Sequence, residues 1–422
     1  MSFIIDKNYD EHLSDRKHKY VKSHSQEEPT HLIPPLNTDL RFSHVLPTYN
    51  HNLYPGLQAV SAETLPTNFS WGKISSTDTA EEKSKKKNIS TPGNQLLCGS
   101  CWAFSSSRVV SDNFVVSGIT KDNPDLSATF CLACYPQGKC DGGNPAELLK
   151  AIEKGGIKSN KCLDYDWCSD NGECNGSGIS GGGDLSYLIP DCKCKDPTKK
   201  YPTYKVKNPQ VLSINTNPDV ADITRKHIYH KGPVIGGFFV LKNFTSGNHT
   251  KMNGGVYLEN GIYDNPNKVT FDENPDYSQQ LDGGHAVSIM GWGVAENILV
   301  DNKGTRKNVP YWHVRNSWGE KWGDKGYFKL AMYPYNKIAC FDKIVNMTTP
   351  SGNIQCGGIV AFDTVNSHTD DENQCNNNII HTTCTPCIPC NTSDASSILN
   401  KNTIIIIIMI IVIILLFIFM IS

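Results

Sequence analysis

The stretch QLLCGSCWAF, residues 95–104, places two cysteines three positions apart and a tryptophan directly after the second. A pair with this spacing is typical of a thioredoxin-type redox motif, of half a zinc site, or of a nucleophile with a structural neighbour. The redox interpretation needs a βαβ context, which the polar segment upstream does not supply. The zinc interpretation needs a second pair, and the remaining cysteines are scattered along the chain.

The third interpretation gives Cys101 a chemical role. Residues 102–117 carry apolar side chains at helical spacing and are followed by Gly118, so the sequence predicts a helix that starts at this cysteine. Free N–H groups and the helix dipole at that end favour a thiolate, which is the reactive form of cysteine. A nucleophile of this kind also needs a base, and a third group must orient the base.

The composition of the chain limits the classes of function. Its 422 residues include 40 basic and 42 acidic side chains, and this balance gives no reason to expect nucleic acid as a partner. Sixteen cysteines are many for a cytosolic protein and favour an oxidising compartment. The length predicts roughly two to three domains.

The two halves of the chain differ in the secondary structure that they predict. A second helix is predicted over 145–154, and residues 160–200 are rich in Cys and Gly, as expected of a disulfide-tied loop. From about residue 201 short β-type runs follow one another, such as GPVIGGFFV at 232–240. A helical half followed by a strand-rich half predicts an α+β protein of two lobes.

Five segments, in the same order along the chain, resemble the papain-like cysteine protease family. The resemblance covers roughly 65–345 and leans toward cathepsin B-like members. It implies a helical left lobe over about 65–200, a right lobe like an antiparallel β-barrel over 201–345, and an active-site cleft between them. The segments are LPTNFSW (65–71), NQLLCGSCWAFS (94–105), CDGGNP (140–145), LDGGHAVSIMGWG (281–293) and YWHVRNSWGEKWGDKGYF (311–328).

The resemblance assigns catalytic roles to individual residues. Cys101 is the expected nucleophile and His285 the expected base, which Asn316 would hold through a hydrogen bond. The oxyanion of the tetrahedral intermediate is expected to accept hydrogen bonds from the Gln95 side chain and the backbone N–H of Cys101.

Further roles concern the substrate cleft and its support. The resemblance places Gly142 and Gly143 along the bound substrate, and it places Trp318 over the bond between base and amide, where it excludes water. It also implies that Cys98 is structural and pairs with Cys140.

The chain departs from the family pattern in two places. Leu96 and Leu97 follow the glutamine where the family usually has a glycine and a small residue. Residues 160–200 contain no histidine, whereas cathepsin B owes its removal of dipeptides to a histidine pair on this loop. The sequence therefore predicts endopeptidase activity.

We expect a monomeric cysteine endopeptidase that acts on protein or peptide substrates and needs no metal or organic cofactor. The first alternative is a catalytically inactive papain-like protein with a surface or structural role. The second is a Cys-rich metal or redox protein.

Two segments that flank the family resemblance are polar. Residues 1–64 show no sustained period and are expected to form a leader, for which an inhibitory propeptide is one interpretation. Residues 346–403 contain five cysteines and are expected to form a stalk tied by disulfides. The alternative for this stalk is a metal site built from Cys375, Cys384, Cys387 and Cys390.

Residues 404–421 form an uninterrupted apolar run. As a helix this run spans about 27 Å, close to a bilayer core of ~30 Å, and it has no polar face that would suit a core helix. We expect a single-pass C-terminal membrane anchor, with a lipid-anchor signal as the competing interpretation. The first residues show no secretory signal, so a lysosome-like lumen, the cell surface and a virion membrane stay open as locations.

Overall fold

The computed structural model describes residues 65–135, 138–168, 174, 185–349 and 352–365. The leader expected over 1–64, the membrane segment expected over 404–421 and the four cysteines of the alternative metal site lie outside these ranges. Within the described ranges, no helix is both long enough and apolar enough to cross a bilayer.

Helices predominate in the first part of the described chain, and strands predominate in the second part. The helices are α1 (Ala80–Lys86), α2 (Cys101–Val116), α3 (Ala128–Cys134), α4 (Pro145–Gly155), α5 (Val220–Lys231), α6 (Lys242–Thr245) and α7 (Tyr277–Gln280). The strands are β1 (Phe69–Ser70), β2 (Val206–Leu212), β3 (Val234–Leu241), β4 (Val256–Tyr257), β5 (Gly261–Asn265), β6 (Lys268–Phe271), β7 (Leu281–Leu299), β8 (Arg306–Arg315), β9 (Tyr327–Ala331), β10 (Ile344–Thr349), β11 (Gly352–Gly357) and β12 (Ile359–Thr364).

Helix α2 confirms the helix predicted from the spacing of apolar residues, and it begins at Cys101. Every side chain of α2 except Arg108 is buried, which requires its serine hydroxyls to find partners inside the protein. Ser106 donates to the carbonyl of Trp102 at 2.7 Å, and Ser111 donates to the carbonyl of Ser107 at 2.9 Å. These bonds allow polar side chains to pack in the core.

The first lobe is tied by disulfides. They join Cys98 to Cys140, Cys134 to Cys192, Cys162 to Cys194, and Cys168 to Cys174. The density of cysteines in this lobe predicts bridges among Cys131, Cys134, Cys162, Cys168, Cys174, Cys192 and Cys194. Cys131 is instead a free, fully buried thiol on α3, since an odd number of candidates leaves one without a partner. The odd number of cysteines left beside Cys101 also predicts a free thiol, for which Cys340 is the candidate, and Cys340 is free.

One large mixed sheet builds the second lobe. Its strand order is β2-β12-β3-β7-β8-β9-β4, and β1 pairs with β7. The pairings are antiparallel except that between β4 and β9. All eight residues of β3 are buried, as expected of a central strand that is covered on both faces.

The sheet continues past residue 345, where the sequence suggested that the catalytic domain ends. Strands β10 and β11 form a hairpin, and β12 lies between β2 and β3. The buried side chains of the hairpin are Val345 and Met347 on β10 and Ile354 and Cys356 on β11. This alternation lasts only a few residues in each strand, so the first part of the expected stalk carries a weak sequence signal, although it forms the separate two-stranded sheet of β10 and β11 and adds β12 to the large sheet.

A buried ion pair connects α2 to β8. Arg315 Nη1 lies 2.7 Å from Asp112 Oδ2, and both side chains are at most 2% exposed. Arg315 also donates to the Ser90 carbonyl at 2.6 Å and to the Ser288 hydroxyl at 3.2 Å. Because both charges have lost their hydration, each depends on the other and on these hydrogen bonds. The pair therefore fixes the end of β8, directly before Asn316, against the helix that starts at Cys101.

We expect Arg315→Met to lower the free energy of unfolding by about 3–5 kcal/mol, because it leaves the Asp112 carboxylate buried without a counter-charge. The double variant Asp112→Asn, Arg315→Met removes both charges and keeps the carbonyl oxygen that accepts from the Ser90 N–H. It should recover at least about 1 kcal/mol of that loss in urea unfolding. Equal stability of the single and double variants would contradict this account.

Candidate active site

The Cys101 thiol lies between the start of α2 and strand β7, and its residue is 4% exposed. The backbone N–H groups that favour its thiolate are those of Ala286, the residue after His285, and of Trp102. Burial raises the pKa of the Cys101 thiol to about 11, while these N–H groups act in the opposite direction. Exposure to solvent or a nearby cation would bring that pKa down.

The hydrogen bond between His285 and Asn316 has a defined direction. Asn316 Oδ1 lies 2.8 Å from His285 Nε2 and also accepts from the Ser317 backbone N–H at 2.8 Å. Because a backbone N–H can only donate, the Asn316 atom at this point is the oxygen. Nε2 therefore carries the proton and Nδ1 keeps its lone pair in the neutral ring.

The imidazole of His285 is enclosed. Trp318 stacks on it with ring centroids 4.7 Å apart and planes 24° from parallel, and both residues are about 1% exposed. Burial lowers the pKa of His285 to about 4, and the bond from Asn316 raises it in part. At neutral pH both the thiol and the imidazole are uncharged in this enclosed state.

Both the oxygen and the nitrogen of the Gln95 side-chain amide form hydrogen bonds. Its Oε1 accepts from the Ser317 hydroxyl at 2.5 Å, and its Nε2 donates to the Cys98 carbonyl at 3.0 Å. The backbone N–H of Gln95 donates to the Ser317 carbonyl at 2.9 Å. The bond to Cys98 uses one of the two amide hydrogens, so the amide has a second hydrogen to donate.

Leu96 occupies a turn that favours glycine. Its φ of 52° lies in the left-handed region, which costs a residue with a Cβ roughly 1–2 kcal/mol. This is one of the two positions at which the sequence departs from the family pattern. The loop thus keeps a left-handed turn after Gln95 although glycine is absent.

The two predicted glycines lie beside the nucleophile segment. Gly142 has a φ of 97°, and a Cβ on Gly143 would come within 2.4 Å of the Trp102 ring. The disulfide between Cys98 and Cys140, with Cα atoms 4.6 Å apart, brings this glycine segment to the start of α2. A side chain at either glycine position would strain the backbone or displace Trp102.

Hydrogen bonds and ring stacking connect His285, Asn316, Gln95 and Trp318 through the Asn316 amide and through Ser317. Cys101 lies next to this group, where the backbone of Ala286 acts on its thiol. The cavity of about 1030 Å³ that is lined by Phe69, Trp292 and Tyr327 includes none of the five. Among the described residues, no three His, Cys, Asp or Glu side chains are arranged to hold a metal ion.

Three residues of the site were not identified from the sequence. Ser317 stands inside the motif around Asn316, so its position was a usable signal. Tyr165 donates to the Gln95 carbonyl at 3.1 Å, and the Cys356 thiol lies within the influence of the His285 backbone N–H. Nothing near Tyr165 or Cys356 in the sequence indicates these long-range contacts.

We expect Asn316→Asp to raise the pKa of His285 from about 4, by about 1–3 units, because a carboxylate would then face Nε2. NMR titration of the imidazole ring signals measures this shift. His313, whose pKa burial also lowers to about 4, is the internal control and should titrate as in the unmodified chain. A shift of both rings, or of neither, would contradict the contact between residue 316 and His285 Nε2.

Comparison with known proteins identifies the family to which the sequence is similar. The family model for papain family cysteine proteases matches residues 75–348. A probable cysteine proteinase of Invertebrate iridescent virus 3 is 42% identical over 355 residues, which cover 78% of this chain and 72% of the relative. Another probable cysteine proteinase, from Invertebrate iridescent virus 6, is 46% identical over 305 residues, which cover 69% of this chain and 67% of the relative.

More distant similarities extend to cellular proteins. A cathepsin B-like cysteine proteinase of Caenorhabditis elegans is 29% identical over 250 residues, covering 56% of each chain. The solved structure of a procathepsin B from Trypanosoma congolense matches with a TM-score of 0.52 at 18% identity, covering 86% of this chain and 99% of that one. This likeness confirms the predicted papain-like α+β fold. Since the family model spans more than half of the sequence, this chain belongs to the papain family of cysteine proteases.

Proposed function

We propose that this protein is a cysteine endopeptidase in which Cys101 is the nucleophile and His285 the base. The observation that carries the proposal is the bond from His285 Nε2 to Asn316, because it leaves the lone pair of Nδ1 as the proton acceptor. Proton transfer from Sγ to Nδ1 creates a thiolate and an imidazolium together. The net charge of the enclosed pair stays zero, which limits the cost of charging it.

The reaction then proceeds in two stages. The thiolate attacks the substrate carbonyl carbon, the imidazolium of His285 protonates the leaving nitrogen, and the C–N bond breaks to leave a thioester on Cys101. Water, deprotonated by His285, attacks the thioester, and the returning proton restores the thiol as the acid product leaves. The steps balance with the substrate, one water molecule and the side chains of Cys101 and His285.

The oxyanion and the substrate backbone are proposed to bind next to the nucleophile. The second amide hydrogen of Gln95 and the backbone N–H of Cys101 are the oxyanion donors, and the Ser317 hydroxyl holds the amide in place. Gly142 and Gly143 offer a backbone edge with which an extended substrate can form hydrogen bonds. Trp318 keeps water from the bond between His285 and Asn316.

We propose that the protein cleaves within peptides and does not release dipeptides from their C-termini. Residues 160–200 supply no histidine to bind a free C-terminal carboxylate. A peptide blocked at both ends should be cleaved internally. The matching peptide with a free C-terminus should release no dipeptide as its first product. Early dipeptide release, followed by mass spectrometry, would overturn this part of the proposal.

An epoxide or fluoromethyl ketone probe, followed by peptide mapping, tests the nucleophile. We expect the probe to label Cys101 and to abolish hydrolysis. His285→Ala should slow labelling at pH 7 by about 10²-fold or more, because general-base assistance is lost. Cys340→Ser is the matched control, since it removes another buried thiol and should label at the unmodified rate.

A properly folded chain that neither labels at Cys101 nor cleaves peptides after removal of residues 1–64 would support the catalytically inactive alternative. Thermal unfolding and circular dichroism establish folding in that case. Labelling only after the removal would support the propeptide interpretation of this leader.

We further propose that residues 404–421 anchor the protein in a membrane, because 18 consecutive apolar side chains are long enough to cross it. The full chain should stay in the membrane pellet after alkaline carbonate washing, while a chain that ends at residue 403 should become extractable. Protease protection of intact membranes then shows which side the catalytic lobes face. Equal extraction of both chains would argue against the anchor.

A further inference from the structure

His249 is a fully buried histidine for which the catalytic proposal has no use. It lies in a single 3₁₀ turn, Asn248–Lys251, after α6, and is 0% exposed. Within the part of the chain that the structure describes, neither ring nitrogen has a hydrogen-bond partner. Buried polar groups are nearly always paired, so an imidazole without any partner calls for an explanation.

Aromatic rings surround this imidazole. Phe244 stacks on it at 4.9 Å, and Tyr257 and Tyr263 face it at 5.0 and 5.8 Å between ring centroids. Both phenols are engaged elsewhere: Tyr257 donates to the Asn243 amide oxygen, and Tyr263 donates to the Leu258 carbonyl. The described residues therefore give the ring nitrogens of a protonated His249 no hydrogen-bond acceptor, and the cation–π attraction of the rings is left to offset the loss of hydration.

The cage is continuous with the ring that covers the catalytic base. Trp322 lies 6.0 Å from His249 and 5.1 Å from Trp318 between centroids. Phe244, which stacks on His249, also contacts Trp318, with ring centroids 5.8 Å apart. Trp318 in turn stacks on His285. A rearrangement of the cage would thus displace the ring that holds the base.

Charged groups on the surrounding elements do not compensate a proton on His249. Glu259 binds the backbone N–H groups of residues 337–339, Asp282 accepts from Thr245, and Lys329 donates to the Gly254 carbonyl. Lys251 on the same turn, Asp264 on β5 and the charged side chains of 320–325 are exposed. Burial alone lowers the pKa of His249, to about 3.

We propose that His249 is a positioning residue that makes the support of the catalytic base acid-sensitive. As a neutral ring it completes the cage that keeps Trp318 on His285; as a cation it has to leave the cage, which loosens Trp318. This inference deepens the proposed function by adding a regulation of the same site.

The direction of the effect follows from linkage. An imidazole with a depressed pKa stabilises the closed cage fully above its ordinary value of 6.5, and this stabilisation is lost as the pH falls from there toward 3. For one such group, the ratio of open to closed cage rises about 90-fold between pH 7.5 and pH 4.5. The site is therefore best supported at neutral pH and weakens at acid pH.

Two phenylalanine variants of the full chain test this. His249→Phe keeps an aromatic ring that takes no proton. His227→Phe is the matched control, because His227 is also buried with a pKa lowered to about 3, but it lies on α5 and has no ring contact with the cage among the described residues. Cys101→Ser is combined with each variant for the structural measurement, so that this readout does not depend on hydrolysis.

Hydrogen exchange of peptides covering 242–257 and 316–328, corrected for intrinsic rates, measures opening of the cage. Protection should fall about 90-fold from pH 7.5 to pH 4.5 in the unmodified cage, and the fall should be at least about ten-fold smaller in His249→Phe. His227→Phe should behave like the unmodified cage. The acid limb of kcat/KM should move to lower pH in His249→Phe only.

Several outcomes would overturn the inference. One is a fall in protection in His249→Phe that equals the fall in the unmodified cage, and another is an unchanged acid limb of kcat/KM in that variant. A third is an equal effect of His249→Phe and His227→Phe, which would indicate that both substitutions act only through the global stability of the fold. If His249→Phe does not fold, His249→Gln, which is neutral at every pH used, carries the same expectations. Cage opening without any hydrolysis by the unmodified chain would count against the proposed function and leave the acid-dependent opening standing.

Discussion

The buried pair of Asp112 and Arg315 is the interaction on which the rest of the site depends. It binds the middle of α2 to the last residue of β8, two segments that lie far apart along the chain. At one end of this connection the helix presents Cys101, and at the other the strand leads directly into Asn316. Because neither charge can be solvated, the distance between the two segments tolerates little variation. The geometry of the reacting groups is set by this internal support.

The residues that orient the base and those that would bind the oxyanion share their support. Ser317 gives its backbone N–H to Asn316 and its hydroxyl to Gln95. One residue thus fixes the proton position on His285 and the orientation of the glutamine amide. Because both sets of hydrogen bonds pass through Ser317, a disturbance at this residue reaches both functions.

The sequence predicts the fold and the candidate site residues of this protein better than it predicts where the folded domain ends and which residues support the site. The helix beginning at Cys101 follows from apolar spacing, and the resemblance supplied the fold and the candidate base and amide. Arg315 and Tyr165 could not be predicted as supports, because their partners lie far along the chain and no local pattern marks such contacts. The alternation of β10 and β11 is too short to stand out. The left-handed conformation of Leu96 was hidden because a leucine gives no sign of a turn that favours glycine.

The place of β12 has a consequence for biosynthesis. This strand, the last that the structure describes, lies between β2 and β3, which are translated more than a hundred residues earlier. Until the ribosome has released residue 364, those two strands have no shared neighbour and the sheet has a gap. The nascent polypeptide therefore emerges with β3, the neighbour of the strand that carries His285, unpaired on its other edge until translation of the lobes is complete.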